Sequence, residues 1–300
     1  MKFLLPGFLT LIVAVIPGIS AAGQSPSVPD VDKGFSEIEA IQGTFNSSGK
    51  LLKLDSQLGY DFNKHFGVFT GIPVYVTNFP SGTTAATGTS ATSGTNAGVG
   101  NFYLGLALRA PNPLLNYGST ITAGAPTGDA KKGLSSGRGT IDWTNHFDRS
   151  FDRITPFFDA GFSNTVPDSG LIARPFTSLG KIGHFEEGAE YSLVHHFSFG
   201  ASAYQIVPFG NQKVFSKLIK QGQGTGSKGA KSKNAFQAAP VTSGNSLTRE
   251  NGFNTWVAFQ PTQFWRAEIG YSRSATFDLD SLSFNLSVNV GKLLRTEKHK

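Results

Sequence analysis

Three short patterns in the chain contain residue types that could do chemistry. The first is Gly224–Gly229, GTGSKG, which has the glycine spacing of a dinucleotide-binding loop. Such a loop normally follows a strand and opens a helix, because the helix N-terminus binds the phosphates. Here the glycines lie in a lysine-rich stretch with neither pattern beside them. We therefore expect no nucleotide site and no cofactor.

The second pattern is His196-Phe197-Ser198, which places a histidine and a serine on one face of a strand, as nucleophilic catalysis would require. A lipid hydrolase is the enzyme class that this pair would suggest. The pair falls at a short turn on a polar face, and no Asn or Asp is placed to orient the histidine. We expect an exposed turn histidine and a protein that is not an enzyme.

The third pattern is His184 and Glu186, which could bind a metal from one strand face. Two ligands are too few for a metal site, and His146 cannot be brought near them from sequence alone. We expect no metal, and we interpret the two residues as a polar pair.

Composition narrows the fold class. The 300 residues include 36 Gly, 26 Phe and no Cys, and only 15 % are charged. The glycine and phenylalanine content disfavours helical bundles and coiled coils and favours an all-β chain. The lack of cysteine excludes disulfide scaffolds, thiolate metal sites and a lipidated cysteine.

The first 33 residues are expected to precede the folded part. Lys2, the apolar stretch Phe3–Ile16 and the small residues Ser20-Ala21-Ala22 have the pattern of an export signal over residues 1–22. Residues 23–33 form a polar, proline-containing leader, residues 34–294 the folded domain, and residues 295–300 a polar tail. No stretch approaches 18 apolar residues, which leaves membrane-spanning β-strands as the open possibility.

The folded part repeats an alternation of apolar and polar residues over about ten positions, followed by a turn. Near the end of the chain, Leu282, Leu286 and Val290 share one face with the apolar residues between them, while Ser283 and Ser287 share the other. The same alternation recurs at Leu52–Phe62, Phe102–Leu108 and several other segments. Each segment is typical of a strand with one apolar and one polar face.

Connections between the segments alternate in length. Short turns such as Lys64-His65 and His195-His196 alternate with long, Gly-, Ser- and Lys-rich loops, the longest at 210–250. This is how outer-membrane barrels are built, with the long loops outside. With Phe35–Phe45 as the first strand before the turn Asn46–Gly49, we predict a transmembrane antiparallel up-and-down β-barrel of twelve strands in the bacterial outer membrane. A soluble β-sandwich or ligand-binding barrel is the alternative, since both have one wet and one dry face.

Short glycine motifs carry a family resemblance over residues 51–291. Gly98-Val99-Gly100-Asn101, Gly124–Asp129, Gly133 and Ser136-Gly137 resemble an outer-membrane β-barrel family described as components of the meta-cleavage pathway of phenol degradation. Asn101 stands where that family usually has an acidic residue. The resemblance implies a transporter of aromatic or other small organic compounds, and a plugged structural or surface-binding barrel is the alternative.

The polar faces of the predicted strands carry an excess of acids. The residues that we expect to line the interior are Lys53, Asp55, Asp61, Arg109, Asp142, His146, Asp148, Asp159, His184, Glu186, Glu190, Arg266 and Glu268. Lys181 and Glu187 fall on the apolar side of their strand, so we expect a bulge or a strand end there. An acidic interior predicts selectivity for cations.

The positive charge of the chain is concentrated in the longest loop. Its basic residues are Lys213, Lys217, Lys220, Lys228, Lys231, Lys233 and Arg249, against a whole-chain charge of +6. No aromatic interleaving or known module supports nucleic-acid binding. The expected partners are outer-membrane lipid, including lipopolysaccharide phosphate, and a small solute; a solvated loop without a partner is the alternative.

Overall fold

The computed structural model describes residues 34–46, 49–79, 94–132, 134–168, 176–194, 196–216, 249–262, 264–276 and 278–290. The expected signal segment, leader and tail lie outside these residues, as do the glycines of 224–229 and most of the basic loop. Within the described part, no helix is long and apolar enough to cross a membrane.

The described residues form thirteen strands in a single sheet. They are β1 (Gly34–Asn46), β2 (Gly49–Asn63), β3 (Phe66–Phe79), β4 (Gly94–Val99), β5 (Tyr103–Ala110), β6 (Asn116–Gly124), β7 (Thr140–Asp148), β8 (Ile154–Ser163), β9 (Phe176–Val194), β10 (Phe197–Ser216), β11 (Glu250–Thr262), β12 (Trp265–Ser274) and β13 (Leu279–Asn289). One short 3₁₀ turn covers Ala130–Lys132.

The sheet closes into an antiparallel barrel. β1 pairs with β13 on one side and with β2 on the other, and β2 pairs with β3, so the described strands form a continuous ring. β4 and β5 pair with successive halves of β3 and occupy one place in the wall. The ring therefore has twelve places, and the predicted fold is confirmed.

The two main glycine motifs meet at the break in strand pairing that separates β4 from β5. Gly100 N donates to Pro73 O at 2.7 Å, and the segment after β6 lies against the break, where Asp129 N donates to Val99 O at 3.0 Å. Gly128 N also donates to Asn101 Oδ1 at 3.2 Å. A Cβ at position 128 would lie 2.6 Å from the Gly100 carbonyl carbon, so this approach requires glycine.

The two faces of the wall differ as the alternation predicted. On β13, Leu286 points outward and is 37 % exposed, whereas Ser287 points inward and is 3 % exposed. An aromatic row, Phe35, Tyr60, Phe62 and Phe66, lies on the outer face beside the short turn after β2, with successive ring centroids 4.9, 5.0 and 5.3 Å apart. An apolar outer band with aromatic residues at its edge is the surface that a lipid bilayer contacts.

Two details of the wall differ from expectation and a third agrees with it. β10 continues to Ser216, so Lys213 lies in a strand opposite Leu179 rather than in the loop, because β9 and β10 extend together as a pair. The expected irregularity near Lys181 is present as a register shift between Phe209 and Lys213. Glu187 lies in regular pairing with Phe158 and Ala203, so this carboxylate faces outward without a bulge.

Candidate functional site: the barrel interior

The charged residues predicted to line the interior lie on the inward face of the wall. Inward-facing positions alternate along each strand, and opposite residues in paired strands share a face. Three pairs of opposite residues mark the inward face: Gly67–Asp61 on β3 and β2, His146–Asp159 on β7 and β8, and Glu186–Tyr204 on β9 and β10. The inward charged residues are Lys53, Asp55, Asp61, Arg109, Asp142, His146, Asp148, Asp159, His184, Glu186, Glu190, Arg266 and Glu268, together with Glu250.

One charged network lies toward the end of the barrel that carries the long loops. Lys53 Nζ is 3.1 Å from Asp55 Oδ2 and 3.6 Å from Asp168 Oδ2, and Lys53 is buried. Tyr103 OH donates to Asp55 Oδ1 at 2.9 Å, and Tyr75 OH donates to Asp168 Oδ2 at 3.1 Å. Asp168 follows β8 in the chain, so this loop segment turns into the barrel and contacts the opposite part of the wall.

A cavity of about 140 Å³ lies beside this network. Its polar lining includes Lys53, Asp55, Tyr75, Asn101, Tyr103, Thr122, Thr140, Asp142, Thr165, Asp168 and Thr177. Its apolar lining includes Pro73, Leu134, Val166 and Pro167. The inward loop segment Thr165–Asp168 therefore forms one side of the cavity, and strands β2, β3, β5, β6 and β7 form much of the rest.

A second network lies on β7, β8 and β9. His146 Nδ1 is 2.7 Å from Asp159 Oδ1, and its Nε2 is 3.2 Å from Asp148 Oδ1. His184 Nε2 is 2.9 Å from Asp142 Oδ1. Since imidazole is a hydrogen-bond partner for a carboxylate and a cation when protonated, each histidine can offset the charge of the acids around it.

A third network joins β9 to β11. Glu186 Oε1 accepts hydrogen bonds from Ser202 Oγ at 2.5 Å and from Asn254 Nδ2 at 3.2 Å. On β11, Glu250 Oε1 accepts from Tyr204 OH at 2.7 Å. Neutral donors therefore satisfy carboxylates on this side of the interior without removing their charge.

Two arginines pair with acids near the short-turn end. Arg266 Nε donates to Glu268 Oε1 at 2.8 Å, and Asn285 Nδ2 donates to Glu268 Oε2 at 3.0 Å. Arg109 Nη1 donates to Asp61 Oδ1 at 2.7 Å. The first pair lies within β12 and the second joins β5 to β2 across β3, and both leave Glu190, which also faces inward, outside the arginine pairs.

The structure does not bring together the residues of the two patterns that suggested an enzyme and a metal site. Ser198 points inward and is buried, whereas His196 is exposed in the turn before β10 and has a positive φ of 79°. Glu186 bonds to Ser202 and Asn254, and His184 bonds to Asp142 instead. Among the described residues, no group of three or more His, Asp or Glu side chains is arranged to hold a metal ion.

Sequence reasoning missed two acids of the interior. Asp168 and Glu250 fall in stretches of the sequence that have the composition of loops, where a charge is normally solvated. A Val-Pro-Asp sequence in a polar loop gives no sign that the segment folds inward. Glu250 lies only three residues before Phe253, where the apolar row of β11 begins, and this closeness is the signal that could place it in the strand.

A closed antiparallel barrel with an apolar outer face and a polar interior defines a transmembrane β-barrel of the bacterial outer membrane. Localisation in that membrane follows from the class. No protein-family model matches the chain. No curated protein matches it in sequence.

Solved structures share the fold. A crystal structure of an outer membrane channel from Pseudomonas putida F1 is similar over 88 % of this chain and 98 % of that chain, with 11 % identity and a TM-score of 0.56. The Pseudomonas putida toluene transporter TodX is a weaker match, over 86 % and 88 % of the two chains, at 8 % identity and a TM-score of 0.42. The first similarity supports the barrel fold, and the second carries no argument.

Proposed function

We propose that the protein is a passive outer-membrane channel or transporter for small solutes, with aromatic compounds as the class to test first. The observation that carries the proposal is the cavity beside Lys53, Asp55 and Asp168, inside a closed barrel whose wall is apolar outside. Buried charges are unfavourable unless they are paired, and here the paired charges leave a cavity between them and the loop segment Thr165–Asp168.

The resemblance to the phenol-pathway barrels and the channel fold of the Pseudomonas putida structure support this proposal. The motifs behind the resemblance also meet at one place, because Gly100 and Gly128 pack together beside Asn101, which lines the cavity. The residues on which the resemblance rests therefore lie beside the cavity.

The second candidate is a plugged structural or surface-binding barrel. The observation that favours it is the burial of inward polar side chains on β13 and β1, where Ser283 is 1 % and Thr44 is 2 % exposed. Side chains that line a wide water-filled pore would be more exposed than this.

Conductance separates the two candidates. Full-length protein refolded into a planar bilayer is expected to give stepwise conductance, and proteoliposomes are expected to swell in small solutes such as benzyl alcohol. The variant Thr122→Trp fills the cavity from β6 and is expected to lower both signals. A folded barrel that shows neither conductance nor swelling would establish the plugged candidate.

A further inference from the structure

We infer that the cavity at Lys53, Asp55 and Asp142 is a solute-binding site for ring-sized compounds whose polar group donates hydrogen bonds, an ammonium in preference to a hydroxyl, and that it rejects carboxylates. The inference deepens the proposed function and rests on it. Its support comes from the size of the cavity, the charges around it and the directions of its hydrogen bonds.

The size of the cavity sets the size of the ligand. An apolar cavity of about 150 Å³ in a protein interior can hold one benzene molecule. The present cavity measures about 140 Å³. The two volumes are close, so the cavity accommodates a single six-membered ring, and the apolar side chains of Pro73, Leu134, Val166 and Pro167 provide contacts for the ring.

The charges around the cavity favour a cation. Three carboxylates, Asp55, Asp142 and Asp168, line it together with a single ammonium, that of Lys53. His184 contacts Asp142, so the acids outnumber the cations even when this histidine is protonated. An anion entering this site would meet a negative field in a poorly solvated interior, where charge repulsion is strong.

The hydrogen bonds point to a ligand that donates. The hydroxyl protons of Tyr75 and Tyr103 are directed to Asp168 and Asp55. An ionised carboxylate is an acceptor only and can take several hydrogen bonds through its two oxygens. The cavity thus offers acceptors that a hydroxyl or ammonium group can use, and charge-assisted bonds of this kind are the stronger ones.

Equilibrium binding to the full-length protein in detergent tests the inference. Four ring compounds of similar size differ in their polar group: benzylamine, benzyl alcohol, toluene and benzoate. We expect benzylamine to bind at least about tenfold more tightly than benzoate, with benzyl alcohol second, because a hydrogen bond to a charged group is stronger than a neutral one. Equal or tighter binding of benzoate would overturn the inference.

Variants locate the binding. Asp55→Asn and Asp142→Asn are each expected to weaken benzylamine binding about tenfold, while Glu187→Gln, an outward acid, leaves it unchanged. Thr122→Trp is expected to abolish binding by filling the cavity, and Ala123→Trp, its outward neighbour on β6, to leave it intact. Unchanged binding in Thr122→Trp would place the ligand elsewhere and overturn the inference. If the cavity variants do not fold, the order of the four compounds on the native protein decides.

Failure of this inference can be told apart from failure of the proposed function. Conductance or swelling without the predicted order of binding would keep the channel and reject the site. Benzylamine binding in the predicted order without conductance or swelling would keep the site and reject the channel.

Discussion

Lys53 Nζ lies 3.6 Å from Asp168 Oδ2, so a residue of the second strand pairs with one that follows the eighth strand. The same ammonium is 3.1 Å from Asp55 Oδ2. This one side chain therefore joins the wall to the loop segment that turns into the barrel.

Lys53→Met should destabilise the barrel strongly, because the buried carboxylate of Asp55 and the half-buried one of Asp168 lose their cation. Removing one partner of a buried pair costs about 3 to 5 kcal/mol. We expect the free energy of unfolding in urea, followed by tryptophan fluorescence in lipid, to fall by that amount. The double variant Lys53→Met/Asp168→Asn should recover part of the loss, and a double variant no better than the single one would show that the pair is not coupled.

An open conductance should be cation-selective. Among the described residues that face inward, ten carboxylates stand against three cations, since Glu250 and Asp168 join the eight acids of the polar strand faces. The local excess of negative charge raises the cation concentration in a narrow conduit. A reversal potential across a salt gradient measures this, and selectivity should decline toward 1 M salt as the Debye length falls to about 3 Å. Anion selectivity would mean that the conducting path follows the basic loop.

Leu286→Arg should impair the barrel through its contact with lipid. Leu286 faces outward on β13, and an arginine near the bilayer midplane costs about 2 to 4 kcal/mol. Leu114→Arg is the matched control, because Leu114 lies in a short turn and is 70 % exposed. We expect heat-modifiable migration on gels to be lost at a lower temperature for Leu286→Arg only. Equal behaviour of the two variants would contradict the assignment of the faces.

Glu186 and Glu187 are adjacent residues on opposite faces of β9 and should respond oppositely to the same change. Glu187→Leu removes a carboxylate from the lipid-facing surface and should stabilise the barrel by about 1 kcal/mol. Glu186→Leu removes an inward carboxylate that accepts hydrogen bonds from Ser202 and Asn254, and it should destabilise the barrel because these buried donors lose their acceptor. Urea unfolding in lipid bilayers provides the comparison, and stabilisation by both changes would be inconsistent with the two faces.

Deletion of residues 217–233 tests the proposed contact with lipopolysaccharide. These residues include five of the loop lysines and lie outside the described part of the chain, after β10. If the lysines bind lipid phosphates, the deletion should weaken retention on lipopolysaccharide-coated beads at low salt, where charge interactions are least screened. Full retention by a folded deletion variant would leave the loop as a solvated segment.

Local patterns in the chain are sufficient to predict the barrel. Alternation along Leu282–Val290 and along Leu52–Phe62 defined the two faces, because side chains in a strand point to opposite sides with a period of two. Alternating short and long connections defined the topology, and the turn Asn46–Gly49 identified the first strand. These are local properties, since each depends on residues close together in the chain.

The arrangement of the interior depends on contacts between residues that are far apart in the chain. Periodicity assigns Lys53, Asp55 and Asp142 to the polar face, but it does not bring Asp168 from a distant loop to Lys53 or pack Gly128 against Gly100. Such contacts depend on strand register around a closed ring and on the path of a loop back into it. Both result from the free energy of the whole assembled barrel, in which a buried charge must find a partner wherever the closed wall places one.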